Sequence, residues 1–235
     1  MRPGAARLRN AMSNFEVLET KEQVLLDNDA VARETRARLK KAGTFFVNLM
    51  ASPGAGKTTL LLRTIGALRE RYRIAVIEAD ADGDVDARTI AETGVPVLQV
   101  HTGGSCHMDA EMTRRGLKSI HAEEFDLVFL ENVGNLVCPA EFDVGQSLRA
   151  MILSTPEGHD KPLKYPLMFQ VSDVILVNKM DVAPVFEFDP DAFRKNAALR
   201  NPNAVILPLS AKTGAGFEAW TAFLVQGIEK ARLAE

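Results

Sequence analysis

The residues with the clearest capacity for chemistry lie at 51–59, where the sequence reads ASPGAGKTT. Glycine lets a backbone come close to phosphate oxygens, and successive N–H groups can wrap them. Lys57 is predicted to reach the β- and γ-phosphates of a nucleotide, and the Thr58 hydroxyl to bind Mg²⁺. The expected phosphate-loop contacts are Gly54, Ala55, Gly56, Lys57, Thr58 and Thr59. The alternative is a glycine-rich turn with no ligand, and Ala51 stands where such loops usually have their first glycine.

A second polar segment, Asn178-Lys179-Met180-Asp181, follows an apolar run. The Asp181 carboxylate can accept hydrogen bonds from the N1–H and exocyclic amine of guanine, and adenine offers no such donor pair. We expect Lys179 to lie along the base and Asn178 to brace the loop. A third segment, at the end of the last predicted strand, would supply a backbone contact to the guanine carbonyl. Its residues are Ser210, Ala211 and Lys212.

Carboxylates follow two further apolar runs, at Glu78-Ala-Asp80 and at Glu131-Asn-Val-Gly134. Ligands of open α/β sheets bind beyond the carboxyl ends of the strands, so both segments should face the phosphates. Glu131 is a candidate Mg²⁺ ligand, Asp80 a candidate to hold Mg²⁺ or orient the attacking water, and Gly134 a donor to the γ-phosphate. Lys57 and Asp80 are therefore the predicted catalytic residues. The alternative is solvated loop carboxylates, and not all of the neighbouring Asp82, Asp84 and Asp86 are expected to be ligands.

A transition-metal site is predicted from Cys106, His107 and Cys138. Both cysteines follow the ends of predicted strands, near the expected γ-phosphate, and Cys and His suit zinc, nickel or copper(I). Three ligands do not close a structural site, but two copies related by a two-fold axis would supply enough. The alternative is a pair of inert thiols or a disulfide.

The elements that must position these residues are read from hydrophobic patterns. Strands are predicted at 44–50, 74–77, 97–100, 127–130, 150–153, 174–177 and 205–209. Helices are predicted at 58–71, 86–93, 108–121 and 217–233, and one more begins with Asn28 or Asp29 as cap and runs to about Lys41. This alternation predicts an α/β fold with a mostly parallel central sheet and helices on both faces, plus an N-terminal helical extension. The segment 155–164 is predicted to be a polar loop.

Composition bounds the function. The chain has 235 residues, 46% hydrophobic and 25% charged, with a net charge of -3 and two cysteines. These values predict no nucleic-acid partner, no membrane span and a reducing, cytoplasmic compartment. The expected organisation is a flexible leader and helix at 1–42 and a P-loop GTPase domain with embedded metal-binding loops at 43–235. The basic leader at 1–11 is interpreted as flexible rather than as a transit peptide, and Met12 is an alternative start to Met1.

The combination of motifs resembles the HypB family, the GTPases that assist nickel insertion into nickel–iron hydrogenases. The resemblance covers about residues 45–233. Its carriers are SPGAGKTT from Ser52, GGSCHMDA from Gly103, ENVGNLVCPAEFDVG from Glu131, EGHDKPLKYP from Glu157 and NKMD from Asn178. The two segments that contain cysteine are far more specific than the phosphate loop.

The resemblance implies a GTP-hydrolysing metallochaperone of the SIMIBI class of P-loop GTPases, which commonly dimerise face to face across the nucleotide. It implies GTP/GDP, Mg²⁺ and Ni²⁺ or Zn²⁺ as ligands, with Cys106, His107 and Cys138 forming an interfacial metal site. Implied partners are a second copy of the chain, a nickel-delivering accessory protein and the hydrogenase large subunit. Many members also carry an N-terminal cysteine cluster or a histidine-rich stretch, and this sequence shows neither. Ala79 and Gly83 stand where glycine and threonine are expected, which bears on the role of Asp80.

Two other functions compete with this interpretation. A urease-type accessory GTPase shares the fold, but its family pattern has Cys-Pro-His where this sequence has Cys138-Pro139-Ala140. A nickel or zinc carrier with a vestigial GTPase is the other alternative, and intact Lys57 and Asp181 argue against it.

Overall fold

Seven parallel strands form the central sheet that the sequence pattern predicts. The computed structural model describes residues 20–233, with side chains described from residue 24. The strands are β1 (Phe45–Ala51), β2 (Ile74–Asp80), β3 (Val97–His101), β4 (Leu127–Glu131), β5 (Leu148–Ser154), β6 (Val174–Asn178) and β7 (Val205–Pro208). Their order in the sheet is β3-β2-β4-β1-β5-β6-β7, and every pairing is parallel. All strands therefore end at one edge.

Helices surround this sheet. They are α1 (Thr20–Lys41), α2 (Lys57–Leu68), α3 (Val85–Ala91), α4 (Ala110–Ser119), α5 (Cys138–Glu141), α6 (Lys161–Lys164), α7 (Pro166–Val171), α8 (Pro190–Ala198) and α9 (Phe217–Arg232). Short 3₁₀ segments span Ala122–Glu124, Thr155–Glu157 and Met180–Phe186. Within residues 20–233, no helix combines the length and the apolar character that a bilayer crossing requires.

Alternate residues of the strands feed the cores on the two faces of the sheet. From β1, Val47 and Leu49 pack with residues of α2 and α9, including the fully buried Trp220. Phe46 and Met50 point the other way, into clusters formed with α1 and α4 and with α7 and α8. The strands are nearly uniformly apolar because both faces of a parallel sheet are covered.

The first helix begins earlier than the sequence predicts. It starts at Thr20, so the expectation that Asn28 or Asp29 caps it is wrong. Asn28 lies inside the helix, where its side chain donates to the Asp143 carbonyl and accepts from the Ala110 N–H, both at 2.8 Å. These tertiary bonds satisfy an amide that would otherwise favour a cap position. The predicted leader and the choice of start residue lie outside the described residues.

Helix α1 is bound closely to the rest of the molecule. It packs on α4 and β1. One guanidinium nitrogen of Arg36 also lies 2.5 and 2.6 Å from the two carboxylate oxygens of Asp143, in an ion pair. The boundary proposed at 42/43 stays a prediction. Between 155 and 171, where a polar loop was expected up to 164, the chain forms the 3₁₀ turn Thr155–Glu157 and helices α6 and α7.

Candidate functional site

The phosphate loop connects β1 to α2 and has the backbone conformation that its glycines permit. Gly54 and Gly56 adopt positive φ angles of 73° and 100°. A Cβ atom at Gly56 would lie 2.6 Å from the amide nitrogen of Asn178, so both conformation and space require glycine. Ala51 is fully buried as the last residue of β1. Its methyl group packs into the core, so the sheet accommodates this departure from the usual motif.

A cavity of about 320 Å³ lies beside this loop, where the base of a bound nucleotide would be expected. It is lined by Gly56, Thr59, Asn178, Lys179, Asp181, Val182, Ala211 and Lys212. The sequence predicted all of these as ligand contacts except Val182. Asp181, Ala211 and Lys212, which the sequence predicts as base contacts, therefore line one cavity.

Asn178 ties the base-binding segments to the phosphate loop. Its amide donates to the Ala55 carbonyl and its carbonyl accepts from the Ala211 N–H, each at 2.9 Å. Lys179, held at a positive φ of 62°, donates from Nζ to the Gly54 carbonyl at 2.7 Å. Three loops from different strands are thus fixed relative to one another. This bracing matches the part that the sequence assigned to Asn178.

The sequence did not reveal that Arg63 supports the last of these loops. From α2, its guanidinium donates to the carbonyls of Ala211 and Lys212, at 2.7 and 2.9 Å. Ser210 is buried, and its hydroxyl accepts from the Thr213 N–H at 3.1 Å. Ser210 therefore shapes the loop from within. An arginine in the middle of a helix carries no local sequence signal for such a role.

A group of carboxylates lies next to the phosphate loop. Glu131 is 1% exposed, and its Oε1 accepts from the Thr58 hydroxyl at 3.0 Å. Glu78 and Asp86 join it, and one ligand atom from each of the three residues lies within 4.8 Å of the others. Oxygen atoms of this kind are the ligands that Mg²⁺ prefers. The sequence predicted Thr58 and Glu131 here but did not single out Glu78 and Asp86.

Two oxygens of this group have no hydrogen-bond partner among the described residues, Glu78 Oε2 and Glu131 Oε2. Burial is the first cause that raises the pKa of Glu131 to about 7, and the charge of Lys57 and the hydrogen bond from Thr58 oppose it. Burial likewise raises the pKa of Glu78 to about 7. Two orphaned acid oxygens fit a divalent cation, which would compensate the cost of ionising them.

Asp80 is not part of this group. Its Oδ1 accepts from the N–H groups of Gly83 and Asp82, at 2.7 and 3.1 Å, and these bonds lower the pKa of its carboxyl. Asp80 is therefore an ionised side chain at the carboxyl end of β2, fixed by its own loop. Its assignment to Mg²⁺ or to the attacking water stays a prediction.

If this group binds Mg²⁺, the raised pKa values of Glu78 and Glu131 predict a pH-dependent effect of the cation. The folded state binds protons at Glu78 and Glu131 more tightly than the unfolded chain does. The metal-free protein therefore loses stability as the pH rises from about 4.5 through about 7. Mg²⁺ needs the ionised carboxylates, so it should raise the melting temperature more at pH 8 than at pH 6. Each kcal/mol corresponds to roughly 2–4 °C in a domain of this size.

Thermal unfolding with and without Mg²⁺, in the absence of nucleotide, measures this difference. Glu131→Gln should flatten both the pH dependence and the Mg²⁺ response, whereas Glu218→Gln, at an exposed position of α9, should change neither. An equal Mg²⁺ shift in wild type and Glu131→Gln would show that the cation binds elsewhere.

The predicted transition-metal ligands lie together beyond β3 and β4. Cys106 Sγ is 2.7 Å from Cys138 Sγ and 3.7 Å from His107 Nδ1. One ligand atom from each residue lies within 4.8 Å of the others, and both cysteines are free. Cys106 is exposed and the other two side chains are partly buried. The cluster is therefore open to solvent on one side.

Polar contacts and an aromatic ring fix the loop at residues 102–107, which contains Cys106 and His107. The Thr102 hydroxyl donates to the Ser105 carbonyl at 2.6 Å, and the Ser105 hydroxyl donates to the His107 carbonyl at 3.0 Å. The His107 ring stacks on Phe142, with centroids 4.0 Å apart. Phe142 follows α5, so the loops after β3 and β4 pack against each other.

The pKa shifts of His107 and Cys138 indicate how a metal would exchange with protons at this cluster. Burial lowers the pKa of His107, which favours the neutral imidazole that a metal requires. The hydrogen bond with Cys106, followed by burial, raises the pKa of Cys138. Without metal, Cys138 therefore holds its proton as a thiol, and metal binding must release that proton.

The chain is similar to known proteins in both sequence and structure. Residues 45–208 match the family model described as CobW/HypB/UreG, nucleotide-binding domain. The hydrogenase maturation factor HypB of Azotobacter vinelandii is 45% identical over 213 residues, which cover 91% of this chain and 70% of that protein. The crystal structure of HypB from Archaeoglobus fulgidus has a TM-score of 0.81 at 36% identity and covers 87% of this chain and all of that one. HypB from Helicobacter pylori, solved in complex with nickel, has a TM-score of 0.80 at 35% identity over 87% of this chain and 96% of that one.

Proposed function

The chain belongs to the HypB hydrogenase maturation factors of the CobW/HypB/UreG family, and from this premise we propose that it is a GTP-hydrolysing metallochaperone that assists nickel insertion into hydrogenase. The observation that carries the proposal is the arrangement of the loop after β4. Glu131, beside the phosphate loop, and Cys138, in the metal cluster, are separated by only six residues of one segment. A single loop thus touches both the nucleotide site and the cargo site.

Guanine specificity would come from Asp181 in the cavity beside the phosphate loop. The bracing by Asn178, Lys179 and Arg63 keeps the loops in position for a base without large rearrangement. A carboxylate facing adenine would stay without its donors, which disfavours ATP. Lys57 would reach the phosphates from the start of α2.

Mg²⁺ would be held by the Thr58 hydroxyl and Glu131, and we add Glu78 and Asp86 as candidate ligands because their oxygens lie in the same group. The cation would supply neutralising charge for the phosphates. Gly134 would give its N–H to the γ-phosphate. It lies against the phosphate loop, since a Cβ there would be 3.0–3.2 Å from Pro53. Asp80 remains the proposed water-orienting residue.

The cargo is a nickel ion, with zinc as the alternative, bound by Cys106, His107 and Cys138. Three ligands on an open surface leave coordination positions to fill, and a second copy of the chain facing the first would provide them. We therefore propose a GTP-dependent homodimer. A nickel-delivering accessory protein and the hydrogenase large subunit would be its donor and acceptor, in the cytoplasm.

Steady-state turnover tests the enzymatic part of this proposal. Wild-type protein should hydrolyse GTP slowly, at ~10⁻⁴ to 10⁻³ s⁻¹ as unassisted small GTPases do, and should not hydrolyse ATP at a comparable rate. Lys57→Ala should abolish turnover because the phosphates lose their cation. Lys195→Ala, in α8, serves as the matched control and should keep the wild-type rate.

Comparable hydrolysis of ATP would contradict the proposed guanine specificity. Binding of GTP without any turnover would favour the metal carrier with a vestigial GTPase. A wild-type rate of tens per second would point to a catalytic group that this account lacks.

A further inference from the structure

Two buried asparagines connect the Glu131–Gly134 loop, beside the phosphate loop, with the loop that contains Cys106 and His107. Asn132, 1% exposed, follows Glu131, and its Nδ2 donates to Asn48 Oδ1 at 3.2 Å. Its Oδ1 accepts from the N–H of Met108 at 3.2 Å and from that of Val133 at 2.9 Å. Met108 directly follows His107 in the chain, and Asn48 lies on β1, the strand that leads into the phosphate loop. One side chain thus touches all three segments.

The orientation of the Asn132 amide is fixed by its surroundings. Two backbone N–H donors face one end of the amide, so that end must be the oxygen. The nitrogen end then points to Asn48 and selects the oxygen of that side chain. The direction of the Asn132–Asn48 hydrogen bond is therefore set by the two backbone N–H groups, because a backbone N–H can only donate.

With its oxygen facing Asn132, the Asn48 side chain has an amide nitrogen left without a hydrogen-bond acceptor in the described part of the chain. Its Nδ2 is buried and has no partner among the described residues. A buried unsatisfied donor costs free energy, so the Asn48 side chain keeps a hydrogen-bonding capacity that this arrangement does not use. A shift of the Glu131–Gly134 loop would move Asn132 and change which atoms meet. The pairing within this packed bridge would therefore depend on the position of the loop, as coupling between the two sites requires.

We propose that Asn132 is the positioning residue that transmits the nucleotide state to the loop at residues 102–107. A γ-phosphate that draws in the Glu131–Gly134 loop would carry Asn132 with it. Its hydrogen bond to the Met108 N–H would then move the neighbouring His107 relative to Cys138. Asn132 is 1% exposed and is neither a predicted nucleotide contact nor a member of the Cys106, His107 and Cys138 cluster. This inference rests on the proposed function and adds the residue through which its two sites communicate.

The test measures the ratio of nickel dissociation constants with GDP and with a non-hydrolysable GTP analogue. Such coupling typically amounts to about 5- to 150-fold, which is the expected range for wild type. Asn132→Leu keeps the number and branching of the side-chain heavy atoms but removes the hydrogen bonds to Met108 and Asn48, and its ratio should fall close to one. A merely structural role would weaken nickel binding equally with both nucleotides and leave the ratio unchanged.

A conservative variant sharpens the result. Asn132→Asp keeps an acceptor for Met108 and Val133, and Asn48 can turn its unpartnered Nδ2 toward the carboxylate. This variant should keep most of the wild-type ratio. Asn201→Ala is the matched control, because that amide donates to the carbonyls of Gln170 and Ser172 and touches neither site. If Asn132→Leu does not fold, Asn132→Ser, which is too short to reach the Met108 N–H, takes its place with the same expected ratio.

A wild-type ratio in Asn132→Leu or Asn132→Ser would overturn the inference and leave the proposed function standing. Loss of coupling in Asn132→Asp as complete as in Asn132→Leu would overturn the assignment to the acceptor bond. A ratio of one in the wild-type protein would overturn the nucleotide-timed function itself, together with the inference built on it.

Discussion

Replacing both cysteines, Cys106→Ala together with Cys138→Ala, is expected to abolish tight binding of nickel and zinc. The two sulfur atoms are adjacent, and they are the ligands that give the cluster its affinity for soft and borderline metals. Each single replacement should weaken binding strongly. His107→Ala should have a smaller effect, because two thiolates remain. Equilibrium metal titration of the purified variants gives the stoichiometry and the dissociation constants.

Acid should release the metal in wild type, because the ligands bind only when deprotonated and the pKa of Cys138 is raised. His101→Ala removes an exposed imidazole near the end of β3 and should leave metal binding unchanged. An unchanged stoichiometry in the double cysteine variant would remove this cluster as the metal site.

Replacing Asp181 by alanine is expected to weaken GTP binding by at least ~2 kcal/mol, about 30-fold. Asp181 lines the cavity beside the phosphate loop, and truncation of its carboxylate would leave two donors of a bound guanine unpaired. The affinity for ATP should change little, so the variant loses discrimination as well as affinity. Titration with both nucleotides in the presence of Mg²⁺ measures each quantity.

Asp191→Ala is the control for the loss of a carboxylate, because Asp191 is exposed on α8 and its carboxylate pairs with Arg194 at the surface. It should bind GTP as wild type does. Equal affinity of the unmutated protein for ATP and GTP would refute the role assigned to Asp181.

The sequence patterns predicted the sheet and the loops of the site closely, because continuous apolar runs have few alternatives to buried parallel strands. The expected strand at 150–153 lies within β5, and the one at 74–77 extends to Asp80 as β2. The three metal-ligand candidates were expected together because neighbouring parallel strands end at one edge, and their ligand atoms lie within 4.8 Å of one another.

The patterns failed where tertiary contacts override local preference. Asn28 has the residue type of a helix cap, but its partners are 82 and 115 residues away in the chain. Helix α8 was missed although Asp189 and Pro190 give it an ordinary start, with Asp189 accepting from the N–H groups of Asp191 and Ala192. Its short apolar stripe gave little periodicity to detect.

The carboxylate group and the asparagine bridge could not be read from one sequence for a related reason. Glu78 lies near the end of β2, and no neighbouring residue in the sequence indicates that its side chain is buried beside Glu131. Asn48 stands in an otherwise apolar strand, which was a detectable anomaly, but its partner Asn132 becomes evident only when β1 and β4 pair.

In the proposed mechanism the nucleotide controls the metal through a dimer of this chain. Sedimentation combined with nickel titration, with GDP and with a non-hydrolysable GTP analogue, tests it most directly. We expect a dimer with analogue and nickel at roughly tens of micromolar protein, and nickel affinities that differ by about 5- to 150-fold between the two nucleotides. Linkage requires nickel to change the affinity for the nucleotide by the same factor. A monomer under these conditions, or identical nickel affinity with both nucleotides, would refute control of the metal through a nucleotide-dependent dimer.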